Sequence, residues 1–381
     1  MTILSKESTG ARIEPYRPAF AAVLNCRLLS KPLIMSYRVT VQPSGHTFEV
    51  APNETILQAA LDAGINLPYG CRDGACGACK GRVLEGQVEY NGDPAALSDT
   101  EKQSGYALFC SAVPQTDLVI ESREILDNYA IRPRILPVRV QKMEKLSHDV
   151  MAMYLKLPSN ERLQFMAGQY VDFLLKDGKR RAFSLANAPH SDELLELHLR
   201  LIPGGQFTEY VFREMPEKAI LRLEGPFGSF YLREDSDKPI IFVAGGTGFA
   251  PVKGIIEHML HHQMKRPITL YWGARSLQDI YMPELPGQWA SEYAAFTYIP
   301  VLSEPLAEDD WQGRTGLVHQ AVLDDHPDLS AYQVYCCGNP QMVEAAHIAF
   351  QTHGMPEDEF FSDAFTFSNP LPAAAQRKAQ L

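Results

Sequence analysis

Long apolar runs are missing from this sequence. None approaches the ~20 consecutive apolar residues that a membrane-spanning helix needs, and the basic residues near the start are not followed by the apolar core of a secretory signal. An excess of positive charge is missing too. The chain carries 35 Lys and Arg against 46 Asp and Glu, a formal net charge of −11 at pH 7, which argues against generic binding to nucleic acid. Cysteine is scarce, seven in 381 residues, and two of the seven, Cys336 and Cys337, are adjacent, a poor geometry for bridging each other. With no disulfide framework in view, a reducing, cytoplasmic setting is expected. Neither a pair of carboxylates nor a Ser/His/Asp set has to be invoked.

Four of the cysteines carry the strongest signal. Cys71, Cys76 and Cys79 follow a C-x4-C-x2-C spacing and Cys110 stands apart, the plant-type arrangement for a [2Fe–2S] cluster. Four thiolates must converge on two irons, and three from one tight loop need small neighbours. Gly74, Ala75, Gly77 and Ala78 supply them, and their amides can turn toward the sulfurs and raise the reduction potential. Structural zinc is the alternative for four cysteines. Zinc ribbons, however, pair two C-x2–4-C knuckles, and here the second knuckle is a single residue. The stretch from Met35 to about Ser122 resembles a plant-type ferredoxin domain. That resemblance implies a β-grasp fold with the cluster near the surface under the 71–79 loop.

A chain of 381 residues is expected to hold two or three domains. Residues 1–34, with five basic side chains against two acidic, sustain neither strand nor helix period; either Met35 is expected to be the natural start, or 1–34 to be a floppy extension. Within 35–122, alternation over 37–41 and 47–50 predicts two strands, and Asn53 is placed to cap a helix through Ile56 and Leu61. A hairpin is expected around Gly86 to Tyr90, and residues 117–121 read as a final strand. This segment has five basic residues against eleven acidic, a balance that could steer it toward a basic partner face. Residues 123–133 read as a linker.

Short β-rich runs separated by turn signals over 134–234 predict a small antiparallel β-barrel. Arg181-Ala182-Phe183-Ser184 ends one such run. The string resembles the Arg-x-Tyr/Phe-Ser motif of the ferredoxin reductase family, and that resemblance implies that Arg181 offers a donor fork for a flavin phosphate, Phe183 an aromatic face for the isoalloxazine, and Ser184 a hydroxyl for flavin N5. Gly204 and Gly205 precede an amphipathic stretch, where free amides would face a pyrophosphate and Thr208 would add a hydroxyl. His198 and Arg200 read as strand-surface residues. From 235 to 370, apolar strands alternate with helical stretches, the pattern of an α/β domain with a parallel sheet covered on both faces. The first strand runs into Gly245-Gly246-Thr247-Gly248-Phe249-Ala250-Pro251 and a helix. Small residues there let a dinucleotide pyrophosphate approach the helix N-terminus. Residues 371–381 read as a polar tail.

The Arg-x-Phe-Ser string, the Gly-Gly-Thr-Gly-x-x-Pro turn and Cys337-Gly338-Asn339-Pro340 occur in the order found in ferredoxin–NADP reductases. Residues 35–366 thus resemble the iron–sulfur flavoprotein reductases, in which a ferredoxin domain is fused to such a module, and in general look the CDP-6-deoxy-glucoseen reductase type. The resemblance implies FAD as the flavin and a nicotinamide site shaped by Gly246, Thr247, Gly248, Pro251, Cys337 and Gly338. It places Ser184, Cys337 and Asp363 at the reacting centre and Phe365 over the flavin, with Phe361 competing for that place. NADH is expected rather than NADPH, because Ser303 is followed by Glu304, Glu308, Asp309 and Asp310, whose carboxylates would repel a 2′-phosphate. Arg275 argues the other way. The implied activity passes electrons from nicotinamide through flavin and cluster to a protein partner, an oxygenase or deoxysugar dehydratase component. The alternative is a stand-alone flavin or metal-ion reductase.

Overall fold

The computed structural model describes residues 36–90, 92–124 and 131–366; the expected extension, residues 125–130 of the linker and the 371–381 tail lie outside the described residues. Residues from Ser36 onward belong to one compact unit, built on three main sheets.

In the first, β1 (Tyr37–Gln42) and β2 (Thr47–Val50) form a hairpin whose alternate residues Val39, Val41, Phe48 and Val50 fill one core. Helix α1 (Ile56–Asp62) lays Ile56, Leu57 and Ala60 on it. The cap of α1 is Thr55, not Asn53. Thr55 Oγ1 accepts from the Gln58 amide at 3.3 Å, while Asn53 sits at φ 64°, a turn conformation that asparagine tolerates well. Strands β3 (Lys80–Glu85) and β4 (Val88–Tyr90), the short helix α2 (Asp99–Gln103), and strands β5 (Tyr106–Leu108), β6 (Ala112–Pro114) and β7 (Leu118–Glu121) complete this part. The five-stranded sheet runs β2-β1-β7-β3-β5, with β1 and β7 parallel. The expected hairpin at Gly86 does not form, because β4 leaves to pair with β6 in a separate two-stranded sheet. Gly86 permits that departure: it holds φ +95°, and a Cβ there would lie 2.3 Å from the Asp117 carbonyl oxygen. The sheet wrapped over α1 is a β-grasp, as expected.

The second sheet contains β8 (Arg134–Lys145), β9 (Val150–Lys156), β10 (Tyr170–Leu174), β11 (Arg180–Ser184), β12 (Leu195–Arg200) and β13 (Ile220–Phe227) in the antiparallel order β11-β10-β13-β8-β9-β12. A bridge between Leu185 and Leu197, with the Ala186 amide donating to the Glu196 carbonyl at 2.8 Å, closes it into a barrel. Leu136, Val138, Phe173, Leu197 and Leu223 fill its core, joined by Phe207 and Val211 of α3 (Gln206–Arg213).

The third sheet is wholly parallel. Its strands are β14 (Ile240–Gly245), β15 (Ile268–Ala274), β16 (Phe296–Leu302), β17 (Arg314–Thr315), β18 (Gln333–Gly338) and β19 (Phe360–Ala364), in the order β17-β16-β15-β14-β18-β19. Side chains of β14 alternate between two cores. Ile240, Phe242 and Ala244 pack with α4 (Phe249–His261) and α5 (Glu284–Glu292); Ile241 and Val243 pack with α6 (Val318–Asp325) and α7 (Pro340–Gln351). The strand order reverses between β14 and β18, and the carboxyl ends of strands at such a switch point form a ligand crevice. No helix among the described residues is long and apolar enough to cross a membrane.

Candidate functional site

All three sheets open into one cleft of about 1570 Å³. Gly70, Cys71, Arg72 and Asp73 line it from the cysteine loop, Arg181, Phe183 and Ser184 from β11, Gly204, Gly205 and Thr208 from the start of α3, and Gly245, Gly246 and Thr247 from the turn after β14; Asp363 and Phe365 line it from β19 and just beyond. The cysteine loop is tied to the barrel. Tyr170 Oη donates to the Gly70 carbonyl at 2.7 Å, Ser229 N donates to the Tyr69 carbonyl at 3.1 Å, and the Arg72 guanidinium lies 4.3 Å from the centre of the Phe227 ring.

The four cysteines group two by two. The Cys71 amide donates to Cys76 Sγ and the Cys76 amide to Cys71 Sγ, each at 3.3 Å. Cys79 and Cys110 form the other pair: the neighbouring Cys110 pushes the Cys79 thiol up, and Cys79 pulls that of Cys110 down. Among the described residues, no three of these sulfurs lie within 4.8 Å of one another. A tetrahedral zinc with Zn–S of ~2.3 Å would hold all four about 3.8 Å apart. Two pairs, each suited to one iron, fit a two-iron cluster instead.

On the barrel side, Arg181 is half-buried and its guanidinium donates to the Arg180 carbonyl at 2.7 Å. Phe183 packs against Phe173 and Phe207, each with ring centres 5.7 Å away. No side chain caps the N-terminus of α3 or of the 3-10 turn Gly246–Gly248 that leads into α4; the Phe249 amide that opens α4 already donates to the Gly246 and Thr247 carbonyls, so the amides left to an anion are those that open α3 and that turn. The Thr208 hydroxyl has a different job from the one expected. It accepts from the Ile202 amide at 3.1 Å and donates to the Gly205 carbonyl at 3.2 Å, closing the glycine turn. The turn after β14 is pinned from below, where Trp272 Nε1 donates to the Gly246 carbonyl at 3.2 Å and the indole stacks on Phe249 at 3.9 Å.

Gly248, Pro251, Cys337 and Gly338 are brought to this turn but lie beneath the cleft wall. Cys337 is fully buried, and burial pushes its thiol up; its expected place beside the nicotinamide corresponds to no cleft-lining position. The reason is steric, since the Gly248 backbone lies directly on the Cys337 carbonyl. Asp363, the register partner of Cys337 on β19, is the residue that reaches the cleft. Of the two phenylalanines, Phe365 lines the cleft. Phe361 is buried and stacks on Tyr335 at 4.8 Å, with the Arg123 and Arg233 guanidinium groups 5.1 and 4.7 Å from its ring centre.

Asp363 sits where the three parts meet. Ser184 Oγ donates to its Oδ2 at 3.5 Å, and a Cβ on Gly70 would lie 3.8 Å from its Oδ1 and 3.0 Å from Cys76 Sγ. Burial pushes this carboxyl from the usual 3.8 up to about 6, against the opposing pull of Ser184. Between about pH 4 and pH 6 the native state therefore keeps a proton that the unfolded chain has released, so this group lowers stability as the pH rises through that window. Asp363→Asn stays neutral. Its stability relative to the parent, read by denaturant unfolding, is expected to rise from pH 4 to 6 and level off above; a flat difference would contradict the assignment.

A buried polar network next to the site was not expected. His198 and Arg200 are not strand-surface residues. The His198 ring is wholly enclosed, 2.9 Å from Glu196 Oε1 and 2.9 Å from Tyr281 Oη, and Glu196 also pairs with Lys253 of α4 at 3.0 Å. Burial alone would raise the Glu196 carboxyl, but His198 and Lys253 hold it down to about 2. Arg200 lines the cleft and donates to Asp149 at 2.7 Å. The network joins the barrel to the third sheet, and Lys253, alone in an otherwise apolar helical run, was its one visible sign.

Comparison with known proteins agrees with this geometry. Residues 39–115 match the 2Fe-2S iron-sulfur cluster binding domain, residues 137–231 the oxidoreductase FAD-binding domain and residues 242–347 the oxidoreductase NAD-binding domain. The CDP-6-deoxy-L-threo-D-glycero-4-hexulose-3-dehydrase reductase of Yersinia pestis is 38% identical over 331 residues, 87% of this chain and 99% of that protein. The reductase component of phenol 2-monooxygenase from a Pseudomonas species is 36% identical over 338 residues, 87% of this chain and 95% of that protein. The crystal structure of the Amycolatopsis reductase GcoB superposes with a TM-score of 0.72 at 34% identity, covering 87% of this chain and all of that one. The chain belongs to the iron–sulfur flavoprotein reductases, oxidoreductases in which a plant-type [2Fe–2S] domain is joined to FAD- and nicotinamide-binding domains.

Proposed function

We propose that this protein carries electrons from a reduced nicotinamide nucleotide to a separate protein acceptor, a component of an oxygenase or of a deoxysugar dehydratase, in the cytoplasm. The observation that carries the reading is the shared cleft: the cysteine loop, the end of β11 and the turn after β14 all line it. Relatives at 34–38% identity are named as reductases or electron-transfer components of such systems. When bound, FAD and the [2Fe–2S] cluster supply the conversion of a hydride's two electrons into single electrons.

The chain's own residues bind and orient. Arg181 and the free amides behind Gly204 and Gly205 hold the flavin phosphates, Phe183 borders the ring system and Phe365 covers it. Ser184 presents its hydroxyl at the reacting edge, and Asp363 accepts from that hydroxyl and fixes its direction. The amides of the turn at Gly246 and Thr247, which leads into α4, hold the nucleotide pyrophosphate. Gly248, Pro251, Cys337 and Gly338 are the packed support under that turn, and Thr208 is the support under α3. Cys71, Cys76, Cys79 and Cys110 hold the cluster. We divide the chain into 35–122, 134–234 and 235–370 on this basis.

For the donor we propose NADH. The acidic loop after β16 is bound to the turn after β15, with the Glu304 amide donating to the Arg275 carbonyl at 2.8 Å and Asp309 accepting from the Leu277 amide at 3.1 Å. Its carboxylates oppose a 2′-phosphate, although Arg275 lines the cleft and would accept one. Anaerobic titration with NADH, and separately with NADPH, followed by absorbance and EPR, tests the whole reading. NADH is expected to bleach the flavin band and produce a rhombic reduced [2Fe–2S] signal. A clear preference for NADPH overturns the donor. Flavin reduction with no cluster signal in iron-containing protein would favour a stand-alone reductase.

A further inference from the structure

Four imidazoles gather at the end of α4 opposite its cleft-facing turn, about 20 Å away along a 13-residue helix. His258, His261 and His262 come from its last turn and its C-cap, and His190 comes from the segment joining β11 to β12. The His190 and His261 rings stack with centres 3.6 Å apart, His261 and His262 lie 5.1 Å apart, and His258 and His262 4.4 Å apart. One ring nitrogen each from His190, His261 and His262 falls within 4.8 Å of the others. None of the four lines the cleft.

His258 adds a separate observation. Its Nε2 donates to Glu234 at 3.0 Å, and its buried Nδ1 has no partner among the described residues. His258 borders the three without joining them, since of the four only His190, His261 and His262 bring ring nitrogens within 4.8 Å of one another. The backbone beneath His190 is also held firmly. A Cβ on Gly254 of α4 would lie 3.0 Å from the Asn187 carbonyl oxygen and 3.2 Å from that of Leu185. Lys253 Nζ donates to the Ala186 carbonyl at 3.1 Å, and Asn187 Nδ2 to the Ser191 carbonyl at 2.8 Å.

We propose that His190, His261 and His262, with His258 beside them, form a binding site for a divalent transition-metal ion of the zinc, nickel or copper class, joining the flavin barrel to α4. Imidazole donors select these ions over magnesium and calcium, and the C-terminal end of a helix favours a cation. At Zn–N of ~2.0–2.1 Å the ligand nitrogens of a tetrahedral site lie about 3.3 Å apart, which exposed rings reach by rotation as His190 and His261 unstack. Water completes the shell. The ion takes no part in electron transfer; it clamps two sheets that share the cleft.

Isothermal titration of untagged holoprotein with zinc chloride, and with magnesium chloride as control, tests the site. One zinc per chain and no magnesium are expected to bind. His190→Ala and His261→Ala, each retaining the parent flavin and cluster spectra, are expected to weaken zinc binding at least about tenfold. Zinc is also expected to raise the thermal midpoint of the parent but not of these variants. Absence of saturable zinc binding, or equal binding by the parent and His190→Ala, overturns the proposal.

Discussion

Cys76→Ser is expected to abolish electron delivery to a protein acceptor while leaving nicotinamide oxidation by ferricyanide within about threefold of the parent. The two cysteine pairs face different surroundings. Cys79 and Cys110 belong to the core of the β-grasp, whereas Cys71 lines the cleft and Cys76 packs against the core of the nicotinamide-binding sheet. Cys71 and Cys76 are thus the pair on the side of the cleft and the nicotinamide-binding sheet. A serine hydroxyl is a hard, weakly acidic donor in place of a soft thiolate, and it leaves one iron with a single sulfur from the chain. Loss of outer-shell partners alone costs metal sites about 10–100-fold, so loss of a ligand is expected to exceed about 100-fold in acceptor reduction. The groups proposed to hold the flavin, the β11 side chains and the amides that open α3, lie outside the cysteine loop. Stopped-flow reduction by NADH together with assays on both acceptors checks the split. Loss of both activities in a variant that still holds flavin would contradict the order in which electrons travel.

What the sequence made legible was local chemistry. The cysteine spacing could be read because ligation of two irons confines three residues to one loop, and the glycine turn after β14 because a pyrophosphate needs small residues at a helix start. Pairing choices were harder. Nothing between Glu85 and Val88 says that β3 will join β7 while β4 joins β6; that is decided by residues some thirty positions later. The Leu-Glu-Leu-His-Leu-Arg pattern of β12 reads as a strand with one wet face. In the fold all but Arg200 are buried, because α4 covers the outer face and supplies Lys253 to neutralise Glu196. The surroundings of Cys337 depend on packing in the same way. Its motif marks the right strand end, but which side chain faces the cleft depends on how closely α4 approaches β18.

That approach is closest at Gly248, and Gly248→Ala is expected to cost about 3 kcal/mol or more of stability and to lose nicotinamide binding. The backbone itself raises no objection, since Gly248 has φ −58° and ψ −15°, an ordinary right-handed conformation for alanine. The obstacle is a Cβ 2.1 Å from the Cys337 carbonyl oxygen, 2.5 Å from its carbon and 2.9 Å from the Gly338 amide nitrogen. Every one of these atoms is main chain of β18, which is locked between β14 and β19. The same end of β18 is also crowded from β14, for a Cβ on Gly338 would lie 2.8 Å from the Gly245 carbonyl oxygen. Overpacking usually costs about 1–3 kcal/mol where side chains can shift; here only the sheet can move, and moving it displaces the Gly246–Thr247 turn proposed to hold the pyrophosphate. Gly287→Ala on α5 is the control. It meets nothing within 4 Å and is expected to stabilise by about 0.5–1 kcal/mol through helix propensity. Denaturant midpoints and nucleotide titrations of the two variants compare a glycine kept for space with one that is not. Equal stability in both would mean that the junction of α4 and β18 is loose, and the rigid placement of Thr247 and Asp363 across the cleft would then need another support.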